Sequence, residues 1–231
     1  MTDYTSALDA VYKRIAEAEQ RFGRKKASVN LLAVSKTCSA DAIRSVAAAG
    51  QRRFGESYLN EALPKIEALA DADIEWHFIG PIQSNKTRGI AEHFDWVHSI
   101  DRLRIAQRLG EQRPAGYPPL KVCIQLNISG EATKAGIPPE EAPALASAIA
   151  QIPGLQLRGL MAIPAPSNDP TLARIAFRQL REISEELRDH GLALDTLSMG
   201  MSSDLEAAIA EGATLVRVGS AIFGERAAKS G

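Results

Sequence analysis

The sequence predicts an α/β fold built as one closed (β/α)8 TIM barrel, and three observations carry that reading. Short apolar runs alternate with helix-like stretches along the 231 residues, the unit recurs eight times, and no linker rich in Gly, Pro or Ser divides the chain. Such alternation implies parallel strands joined by crossover helices, and eight units favour a closed barrel over an open doubly wound sheet. The length lies toward the short end of the range for that fold. Residues 1–231 are therefore expected to form a single barrel domain with one extra helix at its N-terminus.

That extra helix comes first. In MTDYTSALDAVYKRIAEAEQRFG, Leu8, Val11, Ile15, Ala18 and Phe22 recur at helical spacing, and Gly23 is a natural stop. The run LLAV at 31–34 is apolar, bounded by polar residues and too short for a helix, so it is the first strand. Ser39 can cap a helix over 40–49, with Ile43, Val46 and Ala47 as its apolar face and Gly50 at its end. Further apolar runs give strands at 53–55, 75–79, 96–98, 121–126, 157–161, 196–198 and 214–218. Helix-like stretches at 60–69, 84–93, 102–109, 140–150, 171–190 and 204–210 lie between them. The Pro-rich stretches EQRPAGYPPL and IPAPSNDP are short enough to be loops.

Bulk properties exclude several functions. With 45% hydrophobic and 24% charged residues and a formal net charge of −1, the chain shows no electrostatic sign of a nucleic-acid or polyanion partner. No segment approaches the roughly 20 apolar residues of a membrane span, and the N-terminus has no secretory pattern. Cys38 and Cys123 form no CxxC site or disulfide framework, which suits a reducing compartment, so the cytoplasm is expected. His77, His93, His98 and His190 lack metal-ligand spacing, so no metal site is expected.

In a parallel barrel the reactive groups come from the carboxyl ends of the strands and the loops after them. Lys36 lies there, two residues beyond strand one. Desolvation at a barrel mouth lowers a lysine pKa and yields a neutral amine able to form a Schiff base, although most lysines are simply solvated surface groups. The loops after strands seven and eight read SMGMSSD and GSAIFG, where Gly200, Ser202, Ser203, Gly219 and Ser220 let backbone N–H groups and hydroxyls approach a phosphate. The helix at 204–210 would aim its N-terminus at the same spot. Either loop alone reads as an ordinary tight turn; the pair, at the two places where barrels recurrently bind phosphate, favours an anion. Arg217 stands inside a β-branched strand, where it either pairs with a structural carboxylate or, the favoured reading, donates to a ligand. His77 and Trp76, on strand three, read as packing. A ligand carrying both an aldehyde and a phosphate would span lysine and cradle, which fits pyridoxal 5'-phosphate or the phosphorylated sugar of a Schiff-base aldolase.

Taken as a set, LLAVSKT, FGESYLNEA, WHFIGPIQSNKTR, VHSID, IQLNISGEATKAGI, GLMAIPAP, FRQL and LSMGMSSDLEAAIAEGATLVRVGSAIFGER make the chain resemble the YggS/PROSC family of pyridoxal-phosphate-binding proteins, also called pyridoxal phosphate homeostasis proteins. The resemblance runs through almost the whole chain. It implies a barrel like the N-terminal domain of alanine racemase, the type III fold of pyridoxal-phosphate enzymes, with the cofactor held as a Schiff base on Lys36. It also implies cofactor contacts from Ser57, Met201, Ser202, Arg217, Gly219 and Ser220, and makes Lys134 a second lysine near the mouth. Ser57 stands where the family commonly has asparagine, which removes an amide, and Ser220 stands where many relatives have threonine, which keeps the hydroxyl. The function implied is a carrier, buffer or regulator in vitamin B6 homeostasis, with pyridoxal-phosphate-dependent apoenzymes as acceptors and no established catalytic reaction. The alternative is a weak amino-acid racemase or another type III enzyme. Racemisation needs acid–base groups on both faces of the α-carbon, and Tyr58 is the one tyrosine expected near the mouth. A monomer is favoured, with a dimer left open.

Overall fold

The structure, a computed structural model, describes residues 3–131, 134–165 and 170–224. The parts of the quoted stretches at 132–133, 166–169 and 225–231 lie outside the described residues. Its strands are β1 (Asn30–Val34), β2 (Arg53–Glu56), β3 (Glu75–Phe78), β4 (Trp96–Ile100), β5 (Leu120–Leu126), β6 (Leu155–Ala162), β7 (Thr196–Ser198) and β8 (Leu215–Val218). They pair in parallel in chain order, and β8 closes on β1 through Asn30 opposite Leu215 and Ala33 opposite Val218.

Helices α1 (Tyr4–Arg21), α2 (Ala40–Ala48), α3 (Leu59–Ala68), α4 (Thr87–His93), α5 (Leu103–Gln112), α6 (Ala142–Ile149), α7 (Pro170–Asp189) and α8 (Leu205–Ala210) follow the expected alternation, and a short α9 (Ser220–Phe223) ends the described chain. Two predicted helices open as 3-10 turns, at Ser84–Lys86 and Pro139–Glu141, and α9 occupies what reads from sequence as a loop. Four residues carry too little periodicity to announce a helix.

Helix α1 is held by specific contacts. Asp3 caps it by accepting from the amide of Ser6, and Leu8, Val11, Ile15 and Ala18 bury its apolar face against α8 and α9. Glu19, also buried, accepts from the amides of Ala27 and Val29, which fastens the helix to the start of β1.

The large hydrophobic cluster lies between strands and helices, where Leu31, Ala33, Phe54, Phe78, Val97, Val122, Leu160 and Val216 sit. Trp76 belongs to this layer beside Phe54, as expected for packing. Inside the barrel a small second cluster of Trp96, Cys123 and Met161 adjoins buried polar groups, His77, His98, Ser198 and Arg217. A polar barrel interior departs from the branched aliphatic filling usual for this fold.

Candidate functional site

The turn after β1 is built from both sides. Ser35 donates its amide to Gly55 O at 2.9 Å, and its own carbonyl accepts from the Cys38 amide at 3.0 Å and from Lys65 Nζ at 3.0 Å. Thr37 takes a left-handed φ of 67°, uncommon for a β-branched residue, and donates its amide to Glu61. Lys36, half-buried, stands between these two fixed neighbours. Beneath them Glu56 is fully buried, its Oε1 accepting from Ser35 Oγ at 2.6 Å and from Lys65 Nζ at 2.9 Å. Burial pushes the Glu56 carboxyl up, against the pull of the Lys65 charge. The sequence reading missed this pair; a lysine on the inner face of α3 was its only signal.

The two small-residue loops follow β7 and β8, the second of which is the neighbour of β1. After β7, Gly200 has φ +92°, and a Cβ there would come within 2.5 Å of the Ala208 Cβ, so only glycine fits. Met201 donates its amide to Asp204 Oδ1, folding Ser202 and Ser203 into a turn ahead of α8. Arg14 of α1 reaches that turn, donating to Ser202 O at 3.2 Å and to both oxygens of Glu206. After β8, Gly219 precedes α9, whose first residue, Ser220, is exposed. Because Ala33 pairs with Val218, the Lys36 turn runs on beside Gly219 and Ser220.

Arg217 is 4% exposed and points into the barrel. Its Nη1 donates to Ser198 O and Oγ at 2.6 and 2.8 Å, and its Nη2 donates to Ala162 O at 2.9 Å. These partners are neutral; the structural carboxylate that sequence left open is not among them. Burial pulls the guanidinium down to about 10, so it stays charged at neutral pH.

Other expected residues lie apart. Ser57 and Tyr58 line a cavity of about 230 Å³ between the loops after β2 and β3, with Pro81, Gln83 and Lys86. Gly80 is required beside it, since a Cβ would fall 2.1 Å from Ser57 O. Tyr58 is 49% exposed at the start of α3. Lys134 follows β5, across the barrel from β1, and faces Glu131 at 3.9 Å. Cys123 is buried and its thiol is pushed up to about 12, which leaves it unreactive.

A row of side chains crosses the interior below Arg217. Glu75 Oε1 meets His77 Nε2 at 3.0 Å, His77 Nδ1 meets His98 Nε2 at 2.8 Å, and His98 Nδ1 meets Ser198 Oγ at 2.8 Å. His77, expected as packing, thus faces the interior with polar partners at both ring nitrogens. The signal was present in sequence as polar residues on the alternate, inward positions of the strands, Glu75 with His77 on β3 and His98 on β4.

Comparison with known proteins gives a consistent set. A family model described as the alanine racemase N-terminal domain matches residues 6–227. The chain is 62% identical over 226 residues to the pyridoxal phosphate homeostasis protein of Pseudomonas aeruginosa, covering 98% of this chain and 97% of that one. It is 52% identical over 229 residues to the protein of the same name from Escherichia coli, covering 98% of each. Among solved structures it is similar to PipY of Synechococcus elongatus with PLP bound, at a TM-score of 0.80 and 41% identity over 91% of this chain and 100% of that one. Alanine racemase from Corynebacterium glutamicum shares the fold at a TM-score of 0.67 and 22% identity, over 95% of this chain and 61% of that one.

Proposed function

The chain belongs to the alanine racemase N-terminal domain family and, within it, to the pyridoxal phosphate homeostasis proteins, and we propose that it binds pyridoxal 5'-phosphate as a Schiff base on Lys36 and serves vitamin B6 homeostasis as a carrier, buffer or regulator. The cofactor, when bound, supplies an aldehyde that a lysine amine can condense with. The remaining functions belong to the chain's own residues.

The donor set fits that ligand. Ser202, Gly219 and Ser220 would cradle its phosphate with amides and hydroxyls, Met201, whose amide is held by Asp204, would contact the ligand as part of the same turn, and Lys36 would meet the aldehyde from the neighbouring strand end. The observation that carries the reading is Arg217, a buried guanidinium held by neutral acceptors at the ends of β6 and β7. Among the described residues no carboxylate bonds to it directly, Asp204 acting on it only at longer range, so a dianionic ligand would balance its charge, because a buried charge without a bonded opposite partner is costly. The PLP-bound PipY structure supports the assignment at 41% identity. Ser57, directly after β2, would contact the ligand with its hydroxyl, and Lys134, after β5, is the second lysine in the same proposal.

Pyridoxal-phosphate-dependent apoenzymes are the proposed acceptors, and the cytoplasm, a monomeric state and a single barrel domain with its extra helix complete the reading. The test is titration of the purified protein with pyridoxal 5'-phosphate, followed by absorption. Wild type should develop a yellow band that Lys36→Ala lacks, and the loaded protein should restore activity to a pyridoxal-phosphate-dependent apoenzyme. A colourless wild type would overturn the binding assignment. Robust, Lys36-dependent production of D-amino acids from L-amino acids would overturn the carrier role.

A further inference from the structure

The row of polar side chains inside the barrel has one consistent arrangement of hydrogens. Arginine has donors only, so at Ser198 Oγ the Arg217 Nη1–H must be the donor. Ser198 Oγ has a second lone pair, so the remaining links are fixed from the other end. Burial keeps both rings neutral, and the Glu75 carboxylate only accepts and so takes the His77 Nε2–H. The bare His77 Nδ1 must accept from His98, which leaves His98 Nδ1 bare to receive the Ser198 hydroxyl hydrogen. The proton of His98 is therefore on Nε2 and is donated to His77 Nδ1. His77 in turn carries its proton on Nε2 and donates it to Glu75 Oε1. Each link holds one hydrogen, both imidazoles are neutral, and every donor points from Arg217 toward Glu75.

The far end is anchored. Glu75 also accepts from Arg53 Nε and Lys121 Nζ, each at 3.1 Å, and His77 lies flat on the Trp96 ring at 5.4 Å with the planes 7° apart. Arg158 and Asp195, paired with each other, and Asp95 complete the charged groups at this end, and Cys123 borders the chain within the barrel. Adding a proton to either imidazole would bury a further positive charge, beside Arg217 at His98 and beside Arg53 at His77, and set an N–H against a group that is itself donating.

We propose that Glu75, His77, His98 and Ser198 form a one-way hydrogen-bond chain of positioning residues, which fixes the Arg217 guanidinium at the cofactor site from inside the barrel. The chain spans β3, β4 and β7, so it ties Arg217 of β8 to three further strands. A fully connected buried network defines a single geometry, whereas an apolar replacement leaves Ser198 Oγ without an acceptor for its hydrogen. The functional consequence rests on the pyridoxal-phosphate reading above; the hydrogen arrangement itself does not.

The test has two arms. Long-range proton–nitrogen NMR of the cofactor-free, histidine-labelled full chain reads the tautomers, with each ring assigned by single His→Gln substitution. The chain requires His77 and His98 to be neutral Nε2–H tautomers at pH 7, and a protonated or Nδ1–H ring at either position overturns it. In the second arm, pyridoxal 5'-phosphate is titrated into wild type, His98→Leu, His98→Gln and Ser198→Ala. Glutamine offers an N–H toward His77 and a carbonyl toward Ser198, so it can rejoin the chain; leucine cannot. His98→Leu is expected to weaken binding about tenfold and to move the absorption band, while His98→Gln stays within about threefold of wild type. Ser198→Ala, which changes one atom, is expected to weaken binding as His98→Leu does and keeps the arm readable if leucine prevents folding. Unchanged affinity and band position in the variants would overturn the positioning role. A wild type that takes up no cofactor but shows the two Nε2–H tautomers would overturn the binding assignment while upholding the chain.

Discussion

Among single residues, the most consequential are those buried with charge. Lys65 and Glu56 meet at 2.9 Å under the Lys36 turn, and removing one partner of a buried pair leaves the other uncompensated. Lys65→Met is therefore expected to destabilise the fold by about 3 kcal/mol in chemical denaturation, and the double variant Lys65→Met with Glu56→Leu to recover part of that loss. The histidines set an acid limit. Burial holds His77 and His98 below the usual histidine range, so below pH ~6.5 the unfolded chain binds protons that the native chain does not, and stability falls with pH. Glu75 is held well below the usual carboxylate range by His77 and Lys121, so its contribution is lost only on further acidification through the carboxylate range. Thermal melts from pH 7.5 to 5 should show a falling midpoint, with a shallower slope in His98→Gln. An equal slope would contradict the assignment of neutral rings.

Individual elements explain why some of the structure was legible in the sequence. Strands such as LLAV and TLVRV announce themselves because both faces of a parallel barrel strand are covered, and α2 does so through Ser39 and its apolar face. The Lys36 turn and the loops of small residues were legible because barrel chemistry sits at strand ends. What the interior row does was not, since no local pattern states that His98 and Ser198, a hundred positions apart, meet across the barrel. The role of α1 was equally hidden, because Arg14 reaches the Ser202 turn only after the chain has closed. Arg14→Ala is expected to loosen that turn and weaken pyridoxal 5'-phosphate binding about fivefold, as loss of a charge-assisted hydrogen bond of about 1 kcal/mol would. Gly200→Ala acts more severely: strain at φ +92° and the contact with Ala208 should cost about 2 kcal/mol and lower the melting temperature by several degrees.

Across the whole molecule, the barrel separates two tasks. The outer layer between strands and helices supplies the apolar burial, while the interior carries a polar axis from Glu75 and Lys121 to Arg217. That division lets the carboxyl-terminal mouth hold a lysine amine, two loops of small residues and a buried cation without weakening the core. The claim on which this account depends is the covalent one, that Lys36 carries the cofactor. Borohydride reduction of the protein loaded with pyridoxal 5'-phosphate, followed by peptide mapping, reads it directly. The account predicts a pyridoxyl adduct on the Lys36 peptide and none in Lys36→Ala; an adduct on the Lys134 peptide with Lys36 unmodified would contradict it.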